Sequence, residues 1–157
     1  MMSEPSIQQL FDLTGRVALI TGGSGYLGQS FSRALAEAGA TVVVGSRELD
    51  RAQAVVDGLP KSGTSTHHAV ILDQMNEQSI NKGFDDAIAA AGKVDVLINN
   101  GQQGHALDLT NVTAEAFNKD LQNATGYFLL ARRLRDHVVG RSTSGSVVMI
   151  GSMYGVV

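Results

Sequence analysis

VALITGGSGYLG, residues 17–28, decides the fold of this 157-residue chain. Four apolar residues, Val17 to Ile20, run straight into a glycine-rich turn. Leu27, Phe31, Ala34, Leu35 and Ala38 then recur at helical spacing. The order is strand, tight turn, helix, and the turn has the pattern TGxxGxxG through Gly22, Gly25 and Gly28. Each glycine has a physical task at a dinucleotide site. Gly22 permits the sharp turn off the strand, Gly25 lets the backbone approach a pyrophosphate, and Gly28 lets the helix pack close to the sheet. The helix N-terminus presents unpaired N–H groups and the positive end of its dipole to the phosphates. The candidate contacts over this turn are Gly22, Ser24, Gly25, Tyr26, Leu27 and Gly28.

Outward from this stretch, strand and helix patterns alternate. Gly39 stands where a helix C-cap glycine belongs, and residues 40–44 read as a second, β-branched strand. Ser46 is a possible N-cap for a helix carrying Leu49, Ala52, Val55 and Val56, ending near Gly58. Residues 61–66 read as loop and 68–72 as a third strand. A turn at Asp73 leads into a helix with Ile80, Phe84, Ala87, Ile88 and Ala91 on one face, closed by Gly92. Residues 94–98 are a fourth strand, 99–108 a polar loop, and Thr113 opens a long helix to about Val139. Residues 146–150 are a fifth strand.

Five strands joined by helices predict right-handed crossovers and an α/β doubly wound parallel sheet in the order 3-2-1-4-5. The ligand crevice then lies at the carboxyl ends of strands 1 and 4, where the winding reverses. The whole chain reads as one domain, with residues 1–13 as a lead-in. In the long helix, Phe117, Leu121, Ala124, Phe128 and Ala131 suffice to cover a sheet. Tyr127, Leu129, Leu130 and Leu134 leave a second side apolar, which predicts a subunit contact through residues 113–139 and hence a homo-oligomer.

Composition narrows the function classes. Apolar residues make up 43% and charged residues 17%, the pattern of an ordinary globular α/β chain rather than a disordered one. The net charge of -3 with scattered basic residues gives no nucleic-acid surface. The absence of cysteine excludes disulfides, thiol catalysis and thiolate metal sites. His67, His68, His105 and His137 show no metal-ligand spacing, so no metal is expected. Residues 1–13 lack the features of a signal peptide and no run approaches membrane-spanning length, so the expectation is a cytoplasmic protein without a membrane partner. The Asn-x-Thr tripeptides at Asn111 and Asn123 are then chance matches.

The polar residues capable of chemistry gather at the carboxyl ends of the strands, which open on one crevice. After strand 2, an NAD site calls for a carboxylate on the ribose 2′-hydroxyl, and this chain has Ser46 and Arg47. Arginine beside a missing carboxylate favours a 2′-phosphate, hence NADP(H) over NAD(H). The alternative is that Ser46 only caps a helix and Arg47 is only a solvated cation. Asp73, with Gln74 beside it, is a candidate contact for an adenine amino group, or a helix cap.

Five motifs in this order resemble the short-chain dehydrogenase/reductase family: TGGSGYLG at 21–28, Asp73, NNG at 99–101, NATG at 123–126 and GSVVMIGS at 145–152. The resemblance implies a Rossmann-type sheet and an NAD(P)-dependent oxidoreductase moving a hydride between the nicotinamide and a small-molecule carbonyl or alcohol carbon. It implies that Asn99, Asn100 and Gly101 shape the floor of the cofactor site. Asn123 would help hold a water in a proton relay, and Ser152 would hydrogen-bond the reacting oxygen. The Gln102-Gln103 loop and His105 are candidates to touch substrate.

The sequence departs from the family pattern in three places. Tyr26 stands where the short form has glycine, a feature of the branch that works on sugar nucleotides. The alanine of the family's NNAG is missing, with Gly101 and Gln102 following directly. The family's YxxxK motif lies beyond Ser152, and Tyr154 with no position 158 does not supply it. A general acid must reach the substrate oxygen, and the lysine lowers its pKa. The expectation is therefore the N-terminal portion of a longer reductase, whose 157 residues bind cofactor weakly and turn nothing over. The alternatives are a non-catalytic dinucleotide-binding module and a sugar-nucleotide-modifying relative.

Overall fold

The computed structural model describes residues 4–61, 66–104 and 106–152. Strand β1 (Val17–Ile20) is apolar throughout because both of its faces are covered, and none of its residues exceeds 4% exposure. Its neighbours are β2 (Thr41–Ser46) and β4 (Val96–Asn99), with β3 (His68–Ile71) and β5 (Ser146–Met149) outside them. All pairs are parallel in the order β3-β2-β1-β4-β5, with Leu19 opposite both Val43 and Leu97.

Among the described residues five helices accompany the strands: α1 (Ile7–Leu10), α2 (Tyr26–Glu37), α3 (Leu49–Asp57), α4 (Glu77–Ala91) and α5 (Ala114–Gly140). The period-two alternation of the strands divides the core between two layers. Leu19, Val43 and Leu97 pack with Ile80 and Phe84 of α4 and with Leu130 and Leu134 of α5. Ile20, Val42, Val44 and Ile98 pack with Ala36 of α2 and with Ala52 and Val56 of α3. The short α1, absent from the sequence expectation, carries a Ser6/Gln9 capping box. Gly39 and Gly92 follow α2 and α4 in the left-handed region, as their C-terminal positions predict.

Two local expectations are corrected. Ser46 does not cap α3. It is the last residue of β2, buried, with its hydroxyl 2.9 Å from Ser24 Oγ, and α3 starts after Glu48 without a side-chain cap. The apolar faces of α5 are also exchanged. Tyr127, Leu130 and Leu134 face the sheet side, whereas Phe117, Leu121 and Phe128 are 56%, 52% and 60% exposed. The cause is Gly126. A Cβ there would lie 2.0 Å from the carbonyl oxygen of Gln74, so the helix makes its closest approach along the line of its glycine.

β5 stands at the sheet edge, as the predicted order 3-2-1-4-5 requires, and its Val147, Val148 and Met149 are exposed. At the opposite end of the strands, Asp95 ties the layers together. Its buried carboxylate accepts the Val17 N–H at 3.0 Å and pairs with Lys93 at 2.8 Å and Arg141 at 3.3 Å.

Candidate functional site

The site is built where β1 ends. Gly22 has φ +60°, which turns the chain sharply off the strand. Thr21, one residue earlier, stitches the turn to the end of β4: its hydroxyl accepts the N–H groups of Asn100 at 3.0 Å and Gly101 at 2.9 Å. The Asn100 amide donates back to the carbonyls of Thr21 and Gly22 at 3.1 and 3.2 Å. The turn after β1 and the loop after β4 are thus one rigid floor, at the point where the order of strands reverses.

Gly25 is the N-cap of α2, no side-chain hydrogen bond caps the helix and no acidic residue lies in its first turn. The N-terminal N–H groups of this 12-residue helix therefore point toward the floor, with the positive end of the dipole behind them. Gly28 permits the approach, because a Cβ there would stand 2.2 Å from the carbonyl oxygen of Gly22.

A cleft of about 350 Å³ lies over these elements. It is lined by Gly22, Ser24, Gly25, Tyr26, Leu27 and Gly28 from the turn and the start of α2, by Ser46 at the end of β2 and Arg47 just after it, and by Gln74, Asn100 and Gly101. Every expected cofactor residue but two is therefore in a single cleft. The exceptions are Asn99, which is buried at the end of β4, and Asp73, whose carboxylate accepts the Met75 N–H at 2.9 Å. Tyr26, 89% exposed, stands on the rim.

The sequence reading missed Glu48, Arg51, Leu72 and, for this cleft, Gln102. Arg51 lies on α3 one turn beyond Arg47, and that spacing was the available signal. Arg51 is paired to Glu48 at 3.4 Å, while Arg47 is exposed and forms no ion pair among the described residues. The rim near Ser46 thus offers two guanidinium groups and one carboxylate.

A second cleft of about 310 Å³ adjoins through Gln102 and brings together Asn123, Tyr127 and Ser152, which are far apart in sequence. The Asn123 amide is oriented by the loop, accepting the Gln103 N–H at 2.9 Å and donating to the Gln103 carbonyl at 2.7 Å. The Tyr127 hydroxyl donates to the Gly101 carbonyl at 2.8 Å, while its own carbonyl accepts from Asn99 at 3.1 Å. Burial pushes the Tyr127 phenol above its ordinary pKa, so it is a fixed donor rather than an acid at neutral pH. Tyr127 thereby joins the two clefts, a role without a sequence signal. His105 and Tyr154 lie outside the described residues. Among the described residues no cluster of side chains suits a metal ion, and no helix is long and apolar enough to cross a membrane.

The two clefts in series form an elongated groove with a glycine floor, a helix N-terminus and an arginine rim. Its volume is within the range for small-ligand sites, and the missing Cβ atoms leave room for a phosphate-bearing chain. The donor set fits a dinucleotide.

Comparison with known proteins agrees with this geometry. A family model described as short chain dehydrogenase matches residues 16–157. Elsinochrome reductase 1 of Elsinoe fawcettii is 34% identical over 145 residues, covering 91% of this chain and 53% of that protein. Among solved structures, a short-chain type dehydrogenase/reductase from Mycobacterium marinum superposes with TM-score 0.88 at 28% identity, covering 98% of this chain and 62% of that one. A 3-ketoacyl-(acyl-carrier-protein) reductase from Brucella melitensis complexed with NADH has TM-score 0.79 at 29% identity, covering 90% and 58% of the two chains. The chain spans about half the length of the curated relatives it matches.

Proposed function

Because this chain belongs to the short-chain dehydrogenase/reductase family, we propose that it is the dinucleotide-binding part of an NADP(H)-preferring oxidoreductase acting on a small-molecule carbonyl or alcohol. The observation that carries this reading is the cleft over Gly22, Gly25 and Gly28, with Arg47 at the ribose end and Asn123 and Ser152 beyond the other. A nicotinamide dinucleotide, when bound, supplies the hydride. The chain's own residues bind, orient and handle the proton.

The first turn of α2 holds the pyrophosphate, and Asn100 and Gly101 form the floor beneath it. Arg47 and Arg51 favour a 2′-phosphate, against one opposing carboxylate at Glu48. The fold itself admits the unphosphorylated form, as the Brucella melitensis relative complexed with NADH illustrates. The preference therefore rests on the two arginines. Ser152 hydrogen-bonds the reacting oxygen, and Asn123, with its amide held by Gln103, positions a water for proton transfer.

The tyrosines are Tyr26, Tyr127 and Tyr154, and neither Tyr26 nor Tyr127 is followed by a lysine four residues on. These 157 residues alone are expected to bind the dinucleotide and to show no steady turnover. The exposed Phe117, Leu121 and Phe128 of α5 suit a second copy of the chain as partner.

Titration of the chain with NADPH and NADH, followed by nicotinamide fluorescence, tests the reading. NADPH is expected to bind more tightly. Equal or tighter NADH binding overturns the preference, and binding of neither overturns the proposal. Steady NADPH oxidation with any carbonyl overturns the expectation of no turnover.

A further inference from the structure

Gln74 follows β3 and is only 6% exposed. It lines the first cleft, and its carboxamide makes no hydrogen bond to any described residue. The carboxamide is not sealed from water but borders the cleft, so its donors and acceptor are available to whatever occupies that cleft.

The surroundings make deliberate room for it. A Cβ on Gly101 would stand 2.6 Å from Gln74 Oε1 and 3.0 Å from its Cδ. A Cβ on Gly126 would collide with the Gln74 backbone from the other side, 2.0 Å from its carbonyl oxygen. Neither glycine has a positive φ, so backbone conformation does not demand them. At Gly126 occupied volume does, since the obstacle is the Gln74 main chain, whereas at Gly101 a Cβ would displace the end of the Gln74 side chain. The glycine that replaces the expected alanine after Asn99-Asn100 is the counterpart of the glutamine at 74.

We propose that Gln74 and Gly101 are one recognition device, in which glycine at 101 admits the Gln74 carboxamide to the cleft floor and that carboxamide hydrogen-bonds the bound dinucleotide. The inference rests on the dinucleotide reading above and adds a contact that this chain makes through a side chain of its own.

The test uses the 157-residue chain, NADPH fluorescence titration and thermal unfolding. Gln74→Leu keeps the bulk and removes the amide. Its NADPH Kd is expected to rise about fivefold to tenfold, the loss of one ligand hydrogen bond, while Tm does not fall. Gly101→Ala displaces the flexible end of the Gln74 side chain, so affinity is expected to drop while Tm changes little. Combining it with Gln74→Ala is expected to leave the affinity of Gln74→Ala alone, so that the two changes are not additive.

Unchanged affinity in Gln74→Leu overturns the contact, and additive effects of the two substitutions overturn the pairing. A parent chain that binds neither NADPH nor NADH overturns the dinucleotide reading itself. A parent chain that binds, beside a Gln74→Leu variant that binds equally well, overturns only the present inference.

Discussion

Replacing Gly126 with alanine sets two effects on α5 against each other. Alanine is the better helix former by about 1 kcal/mol in a helix interior, so local propensity alone forecasts a more stable protein. The tertiary structure forecasts the reverse. The new Cβ would lie 2.0 Å from the Gln74 carbonyl oxygen, whereas ordinary contact begins at 3.4 Å, so α5 or the Gln74 backbone must move by the difference, about 1.4 Å. The obstacle is main chain and has no rotamer to yield. Overpacking of this kind costs about 1–3 kcal/mol, and the upper end applies where backbone meets backbone. Subtracting the propensity gain leaves a net loss of about 2 kcal/mol, or about 4–8 °C in Tm for a chain of this size. The assay is thermal unfolding followed by circular dichroism at 222 nm. Gly140→Ala is the control, because nothing lies within 4 Å of its Cβ position and its Tm should not fall. A Gly126→Ala variant as stable as its parent, or more so, refutes the reasoning. The same variant should weaken NADPH binding, because the shifted helix carries Tyr127, whose hydroxyl holds Gly101.

Arg47→Ala is expected to raise the Kd for NADPH about tenfold, the loss of one charge-assisted contact, and to leave NADH nearly unchanged. An equal loss for both cofactors would place Arg47 away from the 2′-phosphate. Glu48→Gln removes the opposing carboxylate and should tighten NADPH binding, and titration at low salt would show weaker binding if the rim were arranged otherwise. Asp95→Ala leaves the Val17 N–H and two cations without their buried partner, and should cost about 2–3 kcal/mol by urea denaturation. A loss below about 1 kcal/mol would show that Asp95 is dispensable.

Acid should destabilise the fold through His137, whose pKa lies below the ordinary 6.5 because of burial and the repulsion of Arg141, against a smaller opposing pull from Asp95 and with a still smaller push from Arg133. The ring accepts the Val94 N–H at Nε2 and must be neutral to do so. The unfolded chain then takes up the proton more readily, so this contribution is present above about pH 6.5 and is lost as pH falls below it. His68 shifts in the same direction, so the slope of Tm against pH should shrink in His137→Gln without vanishing. An unchanged slope would sink the assignment.

Much of the site was legible in the residues themselves. The glycines at 22, 25 and 28 announce their geometry because a turn and a helix start are local events, decided within a few residues. Arg47 was legible because the end of β2 has a fixed relation to the turn. Ser46 was placed correctly in the cleft and wrongly as a cap, since a serine before a helical pattern looks the same whether its hydroxyl caps the helix or meets Ser24 across the cleft. The two faces of α5 were exchanged because hydrophobicity alone ranked phenylalanine above glycine as the face of contact. Contact distance chose otherwise. Gln74 was legible as a cofactor candidate from its place after β3, but its contact with Gly101 was not, and Tyr127 carries no local signal at all, because each contact is defined by atoms 27 or 26 residues distant along the chain at Gly101.

By itself the sequence determined the alternation of strand and helix, the parallel order of the five strands and the position of the crevice, since these follow from periodicity, turn chemistry and the handedness of crossovers. Only the tertiary structure decided which face of α5 meets the sheet, that Asn123 and Ser152 share a cleft, that Asp73 stays out of the first one, and that Gln74 lies against Gly101. These depend on distances between residues remote in the chain, set by close packing of whole elements, and no local pattern records them.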